Sequence, residues 1–169
     1  FQIASQNALA ELAKSLTGKS VAIVGYLDQV DGAPQNMVAV ISDGVVSARY
    51  AKCHLPNYGV FDEFRNFVPG DKTLVVRIHG VDVGIAICQD LWIDGGITSQ
   101  LAARKPGLVI VPNGSPYERN KDDVRLALVS KRARQASAPL VYVNMTGGQD
   151  DLVFDGDSIV VGADGAVIA

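Results

Sequence analysis

The sequence predicts an α/β fold in which short buried strands are mixed with helices and hairpins. Short, almost wholly apolar runs recur along the chain, as expected for strands buried on both faces. Three pairs of such runs are joined by Asp-Gly or His-Gly dipeptides, which favours two-residue hairpin turns. Two longer segments carry apolar residues at helical spacing, and this mixture is typical of sheets with helices on their outer faces.

Local patterns place the elements in order. Residues 1–16 form a predicted helix, because their apolar positions recur at helical spacing and Gly18 follows as a cap. The predicted strands are residues 21–26, 37–42, 45–51, 73–78, 81–87, 108–111, 140–143, 158–161 and 167–168. The predicted hairpin turns are Asp43-Gly44, His79-Gly80 and Asp164-Gly165. A helix is predicted to begin at Gln89 and another to span residues 121–137, whereas residues 29–35 and 113–120 are predicted loops.

The composition is that of one globular domain. The chain has 169 residues, of which 48% are hydrophobic and 20% charged, a balance that allows a core and differs from that of a disordered chain. A net charge of −3 argues against nucleic acid or an anionic membrane surface as a partner. No apolar run reaches the roughly 20 residues of a spanning helix, which excludes a membrane-spanning protein.

Two cysteines, Cys53 and Cys88, lie in unrelated contexts, and neither belongs to a Cys-x-x-Cys or histidine-rich cluster. This pattern favours neither a disulfide scaffold nor a structural zinc site. It predicts a reducing, cytoplasmic location and no bound metal.

Cys88 is the most informative of the two cysteines. It ends the apolar run of residues 81–87 and precedes a predicted helix start at Gln89. A sulfur at such a strand-to-helix turn lies near backbone N–H groups, which favour a thiolate and can hold an oxyanion. The alternative is that Cys88 is a small buried hydrophobic residue, and the pattern alone leaves both readings open.

Lys52 follows the predicted strand 45–51 and opens a long irregular stretch that contains four aromatic residues and Glu63. Apolar loops of this length tend to be functional. A lysine at a strand end is more often a solvated surface residue, and Glu63 could equally be an exposed loop carboxylate. Composition therefore makes Lys52 and Glu63 candidates without deciding their role.

Four motifs carry a resemblance. Residues 52–63 read Lys-Cys-His-Leu-Pro-Asn-Tyr-Gly-Val-Phe-Asp-Glu, and residues 84–92 read Gly-Ile-Ala-Ile-Cys-Gln-Asp-Leu-Trp. Residues 113–117, with Lys121, and residues 147–156 supply the other two. In this order they resemble the nitrilase, or carbon–nitrogen hydrolase, superfamily and, within it, the glutaminase domains of glutamine-dependent NAD synthetases. The resemblance covers essentially the whole chain.

The resemblance implies an α-β-β-α sandwich and a Glu-Lys-Cys triad. It further implies that residues 1–169 form a single glutaminase domain that is incomplete at its N-terminus, lacking the first strands of the family fold, with the synthetase domain outside this chain. The family's general-base glutamate belongs to a Pro-Glu segment that no residue here matches. Glu11 lies inside a helical pattern and has no such context.

Site roles follow from the same resemblance. Cys88 matches the nucleophile, Lys52 the lysine that stabilises the developing oxyanion, and the backbone N–H of Gln89 its second donor. Glu63 matches a further carboxylate near the nucleophile that supports positioning. The positions that hold the substrate glutamine are matched by Tyr58, Ser115 and Lys121.

The implied reaction is hydrolysis of the glutamine side-chain amide, with the ammonia passing to a covalently linked synthetase domain. The resemblance implies no cofactor in this chain, since ATP and Mg²⁺ are required only by that domain. It also implies a homo-oligomer, with neither nucleic acid nor a membrane as partner.

Two other functions remain open at this stage. One is a stand-alone amidase or carbamoylase of the same superfamily. The match of Tyr58, Ser115 and Lys121 to positions that bind an amino acid argues against it. The other, of a different class, is a catalytically incomplete structural or oligomerisation module, for which the unmatched glutamate argues.

Overall fold

The computed structural model describes residues 1–119 and 121–169, and only the backbone of residues 121–123. The chain folds as two compact units, Phe1–Lys72 and Thr73–Ala169. No helix in the described part of the chain is long and apolar enough to cross a membrane.

The first unit is a helix on an antiparallel three-stranded sheet. Its elements are α1 (Gln2–Ser15), β1 (Val21–Val30), β2 (Ala33–Ser42) and β3 (Val45–Ala51), in the sheet order β1-β2-β3. Both hairpins turn on an Asp-Gly pair with positive φ at each residue, the conformation that matches the twist of the flanking strands. The two turns are Asp31-Gly32 and Asp43-Gly44.

The core of the first unit forms where α1 meets the sheet. Leu9 and Ala13 of α1 are buried in one cluster with Tyr26, Met37, Ala39 and Ile41. The central strand β2 is buried on both faces over its second half. After β3, residues 52–72 return along the sheet, where the Val68 N–H donates to the Pro34 carbonyl at 2.9 Å and the Gly70 N–H to the Lys52 carbonyl at 2.8 Å.

The second unit is built on a mixed five-stranded sheet. Its order is β10-β7-β6-β5-β4, with β5, β6 and β7 parallel and both edge strands antiparallel. These strands are β4 (Leu74–Ile78), β5 (Val81–Ile85), β6 (Leu108–Asn113), β7 (Leu140–Asn144) and β10 (Ile159–Val161). Helices α2 (Ile97–Ala103) and α3 (Lys121–Ala136) connect the parallel strands, and β8 (Thr146–Gln149) pairs with β9 (Leu152–Asp155) as a separate hairpin.

The parallel strands determine where chemistry can occur. In an open sheet of this kind, side chains that follow the carboxyl ends of parallel strands meet at one edge. A 3₁₀ turn, Cys88–Leu91, follows β5, Ser115 follows β6, and Asn144 ends β7. Three polar or nucleophilic residues therefore lie at the same edge of the sheet.

The predicted α/β fold is confirmed, with local corrections. The predicted loop at residues 29–35 is wrong, because β1 and β2 extend through it around Asp31-Gly32. The helix predicted to begin at Gln89 is a short 3₁₀ turn, and α2 begins later, at Ile97. The last predicted hairpin contains a single bridge, between Val161 and Val167. The hairpin of β8 and β9 was not predicted, because its glycine-rich first strand is exposed and lacks an apolar pattern.

Candidate active site

Cys88 occupies a strained turn at the carboxyl end of the buried run that begins in β5. Its φ is +42°, a left-handed conformation that costs a non-glycine residue about 1–3 kcal/mol. The side chain is 8% exposed. Such strain persists only where the surroundings impose it, and it clusters at functional sites.

Asp90 holds the start of this turn. Its Oδ2 accepts a hydrogen bond from the Ile87 N–H at 2.9 Å, while the Asp90 N–H donates to the Ile87 carbonyl at 2.9 Å. Asp90 is itself fully buried. This reciprocal pair closes the chain around Cys88 and orients the peptide that follows it, which contains the Gln89 N–H.

Ser115 lies in the loop after β6, and its backbone is held by Asn144. The Ser115 N–H donates to Asn144 Oδ1 at 2.9 Å, and Asn144 Nδ2 donates to the Ser115 carbonyl at 3.0 Å. Asn144 is in turn fixed through its own N–H, which donates to Ser158 Oγ at 3.0 Å. The ends of β6 and β7 are thereby joined at the residue predicted to bind substrate.

Arg125 of α3 braces the same loop from within the protein. Its side chain is fully buried, and its Nη2 donates to the carbonyls of Ser115 at 3.2 Å and Pro116 at 3.1 Å. Its Nη1 lies 2.8 Å from Asp155 Oδ2 and 3.7 Å from Asp157 Oδ2. Burial lowers the pKa of Arg125, but hydrogen bonding and attraction to Asp155 outweigh it, so the pKa lies above its usual value.

Tyr142 of β7 is near both Cys88 and Ser115. It is fully buried. Burial is the main cause that raises the pKa of its hydroxyl to about 12; nearby Ser115 opposes the rise and a charge on Cys88 adds to it. The hydroxyl itself makes no hydrogen bond with the described residues. Within the second unit, the nucleophile candidate and the substrate-binding candidate therefore share a neighbour.

The first unit contains a buried ion pair. Lys52 is 2% exposed, and its Nζ lies 2.5 Å from Glu63 Oε1. The second oxygen, Glu63 Oε2, is buried and accepts no hydrogen bond from the described residues. Lys52 is therefore not the solvated lysine that its place at a strand end could have made it.

The backbone around this pair leaves little freedom. The Lys52 N–H donates to the Asn36 carbonyl at 2.9 Å, and the Glu63 N–H to the Pro56 carbonyl at 3.1 Å. A Cβ at Gly70 would approach the Ala51 carbonyl to 2.5 Å, so only glycine fits there. The returning segment thus packs directly against the residue that precedes Lys52.

The other predicted substrate contacts are placed less decisively. Tyr58 is 56% exposed, and its ring packs edge-on against Phe61 with centroids 5.6 Å apart. The Lys121 side chain lies outside the described part of the chain. The structure therefore pairs Lys52 with Glu63 and groups Cys88 with Ser115, and the roles of all these residues remain predictions.

The described part of the chain offers no cluster of metal-ligand side chains. Its His, Cys, Asp and Glu side chains form no cluster of three or more that could hold a metal ion. The glycine pair before α2 follows Asp94, whose carboxylate lies 2.9 Å from Lys131 Nζ and 2.8 Å from Arg132 Nη1. Both cations near this glycine pair are therefore already paired with a carboxylate.

Four residues near this site were not predicted from the sequence to belong to it: Asn144, Tyr142, Arg125 and Arg132. Asn144 could have been found, because it is a polar residue directly after a buried strand. Tyr142 is the one hydroxyl inside an otherwise apolar run, which is a weaker signal. Arg125 and Arg132 gave none, because a helix rich in basic residues usually has a solvated face.

Residues 4–169 match the family model for carbon–nitrogen hydrolases. The chain therefore belongs to the carbon–nitrogen hydrolase family, which confirms the predicted resemblance and its nitrilase-like α/β fold class. Within that family, its curated relatives include glutamine-dependent NAD(+) synthetases. A glutamine-dependent NAD(+) synthetase of Xanthomonas campestris pv. campestris is 43% identical over 164 residues, which cover 96% of this chain and 29% of the relative.

Solved structures of related enzymes have a similar fold. That of a glutamine-dependent NAD+ synthetase from Acinetobacter baumannii is 39% identical with a TM-score of 0.91, over 97% of this chain and 31% of that one. A variant amidase from Nesterenkonia sp. AN1, with an acetamide moiety added covalently at its active-site cysteine, is 26% identical with a TM-score of 0.83, over 99% and 62%. This chain thus spans about 29% of the length of its Xanthomonas relative.

Proposed function

We propose that this chain hydrolyses the side-chain amide of glutamine and that the ammonia released is used by an NAD synthetase domain linked to it. The proposal is supported by the family, by relatives that are glutamine-dependent NAD(+) synthetases, and by the two buried groups of residues described above. We expect ATP and Mg²⁺ to serve only the linked domain.

The observation that carries the proposal is the conformation of Cys88. A buried cysteine with a left-handed backbone, at the carboxyl edge of parallel strands, is arranged as a nucleophile on a sharp turn. A cysteine that served only as a small hydrophobic residue would not require this strain. Two hydrogen bonds hold the turn in this strained conformation. The Ile87 N–H donates to Asp90 Oδ2, and Arg132 Nε donates to the Leu91 carbonyl.

The chemistry proceeds in two covalent steps. The Cys88 thiolate attacks the amide carbon, forming a C–S bond and a tetrahedral oxyanion that the Lys52 ammonium and the Gln89 N–H stabilise. The C–N bond then breaks, and the nitrogen leaves as ammonia with the proton that the Cys88 thiol lost on ionisation. The family's general-base glutamate, which no residue of this chain matches, would carry that proton and then take one from the attacking water. Water attacks the resulting thioester, the C–S bond breaks, and glutamate and the free thiol are released.

Glu63 keeps Lys52 in position for this task. A buried ammonium without a counter-charge is strongly disfavoured, and the contact of 2.5 Å supplies that counter-charge. Tyr58, Ser115 and Lys121 bind the α-carboxylate and α-amino groups of glutamine. We expect the reaction to take place in the cytoplasm, in a homo-oligomer.

The test measures ammonia and glutamate released from glutamine by the protein expressed from its complete gene. Cys88→Ala should abolish turnover, whereas Cys53→Ala, the matched control, should retain it. Normal turnover by Cys88→Ala would contradict the proposal.

The stand-alone amidase is the second candidate, favoured by the likeness to the Nesterenkonia amidase. It predicts that propionamide is hydrolysed at least as efficiently as glutamine. It also predicts that Ser115→Ala changes kcat/KM for both substrates equally. The glutaminase proposal expects a strong preference for glutamine, which Ser115→Ala weakens. A structural or oligomerisation module would hydrolyse neither.

A further inference from the structure

Helix α3 carries two buried arginines on one face. Arg125 and Arg132 are seven residues apart, which is about two turns and 10 Å along the helix. Their side chains are 0% and 2% exposed. A buried guanidinium is costly unless its donors and its charge are satisfied, so each must be held by specific partners.

The two arginines hold different loops. Arg125 donates to the backbone carbonyls of Ser115 and Pro116 and is balanced by Asp155. Arg132 donates from Nε to the Leu91 carbonyl at 2.6 Å and from Nη1 to Gln135 Oε1 at 2.9 Å.

The Arg132 contact completes the support of the Cys88 turn. Leu91 is the last residue of that turn, and Asp90 already fixes its start through the Ile87 N–H. Nη1 of Arg132 also lies 2.8 Å from Asp94 Oδ1, in the segment that leads to α2. Both ends of the strained turn are therefore anchored by charged side chains.

We propose that Arg125 and Arg132 are positioning residues with separate tasks, Arg125 setting the Ser115 loop for substrate binding and Arg132 setting the Cys88 turn for nucleophilic attack. This inference rests on the function proposed above. It makes α3 a rigid spacer between substrate recognition and the reacting sulfur. A positional error of about 1 Å in such a group can cost on the order of 100-fold in rate.

The test compares lysine and methionine variants at both positions in the protein expressed from its complete gene. Arg132→Lys and Arg132→Met should lower kcat and slow alkylation of Cys88 by iodoacetamide, each by about tenfold or more, with KM for glutamine nearly unchanged. Arg125→Lys and Arg125→Met should raise KM by about tenfold and leave the alkylation rate unchanged. Lysine is included because it keeps the charge but loses the planar fork.

The matched control is Arg134→Met, an exposed arginine on the same helix, which should change neither quantity. Thermal unfolding midpoints are measured for every variant. A merely structural role lowers the midpoints without separating kcat from KM, and that outcome overturns the inference. Equal slowing of Cys88 alkylation by the Arg125 and Arg132 variants overturns it as well.

Milder variants keep the test decisive if the arginine variants fail to fold. Asp94→Asn and Asp155→Asn each remove one partner from a partly or largely exposed position. Asp94→Asn should slow Cys88 alkylation severalfold, and Asp155→Asn should raise KM severalfold. If the two variants do not differ in this way, the inference is overturned. Alkylation of Cys88 is measured independently of glutamine turnover. If the wild type releases no ammonia and glutamine does not protect Cys88, the proposed function fails. The role of Arg132 is still decided by the alkylation rates alone.

Discussion

Lys52 in the first unit and Arg125 in the second are both buried cations, and they are held in different ways. Lys52 contacts one oxygen of Glu63, whose second buried oxygen receives no hydrogen bond from the described residues. Arg125 is bound by two backbone carbonyls and two aspartates. Lys52, held by a single carboxylate, is arranged for chemistry, whereas Arg125, bound to the carbonyls of the Ser115 loop, is arranged to position that loop.

Lys52→Met is expected to have the largest effect, because it removes the charge and keeps much of the volume. Loss of one oxyanion donor costs about 100- to 1,000-fold in rate. We expect glutamine turnover to fall by that factor, with the circular dichroism spectrum unchanged. Lys14→Met, at an exposed position of α1, is the control. Near-normal turnover by Lys52→Met would show that the buried pair is structural and break the comparison.

Glu63→Gln sharpens the comparison by removing the charge but leaving an acceptor for Lys52. A hydrogen bond between charged groups is worth about 1.4 kcal/mol more than a neutral one, so we expect a loss of about tenfold in kcat. Glu11→Gln, exposed on α1, should have no effect. A loss as large as that of Lys52→Met would mean that Glu63 takes a direct part in proton transfer.

Asn144→Ala tests the second unit, where Asn144 binds the backbone N–H and carbonyl of Ser115. It leaves the buried N–H of Ser115 without its acceptor, at a cost of about 1–3 kcal/mol. We expect the free energy of unfolding in urea to fall by that amount and KM for glutamine to rise severalfold. Asn66→Ala, an exposed control, should leave both unchanged. An unchanged KM would separate the Ser115 loop from substrate binding.

Tyr142→Phe should have the smallest effect, and only in alkali. Burial raises the pKa of Tyr142 from 10.0 to about 12. Between these values the unfolded state loses the proton while the folded state keeps it, so wild-type stability falls as pH rises from 10 to 12.

The Tyr142→Phe variant lacks this hydroxyl. Its unfolding free energy should therefore increase relative to that of the wild type as the pH rises from 10 to 12. Denaturant titrations at several alkaline pH values measure it. Tyr117→Phe, at an exposed position, is the control. A difference that does not vary with pH would contradict the burial of the hydroxyl.

Much of the fold followed from local sequence patterns. The five strands of the second unit's main sheet were predicted to within two residues at each end, and so was the hairpin at Asp43-Gly44, because buried runs and turn dipeptides are short-range signals. The hairpin at Asp31-Gly32 was missed, because polar and turn-forming residues there resemble a loop. The β8 and β9 pairing depends on neighbours rather than on its own glycine-rich sequence.

The site divides in the same way. Cys88 and Ser115 follow apolar runs, so their position at strand ends could be predicted from the chain alone. The Lys52–Glu63 contact joins residues eleven positions apart across an irregular loop. It was not predicted, because the resemblance implied only that Glu63 lies near the nucleophile. The burial of Arg125 and Arg132 depends on the tertiary fold, which a polar helical pattern does not reveal.

The most direct test of the central claim is covalent labelling by a glutamine analogue in which a diazoketone replaces the side-chain amide. The account predicts a single adduct, on Cys88, whose formation glutamine slows and Lys52→Met retards, with Cys53 unlabelled by peptide mass spectrometry. Equal labelling of both cysteines, unaffected by glutamine, would contradict the assignment of Cys88 as the nucleophile.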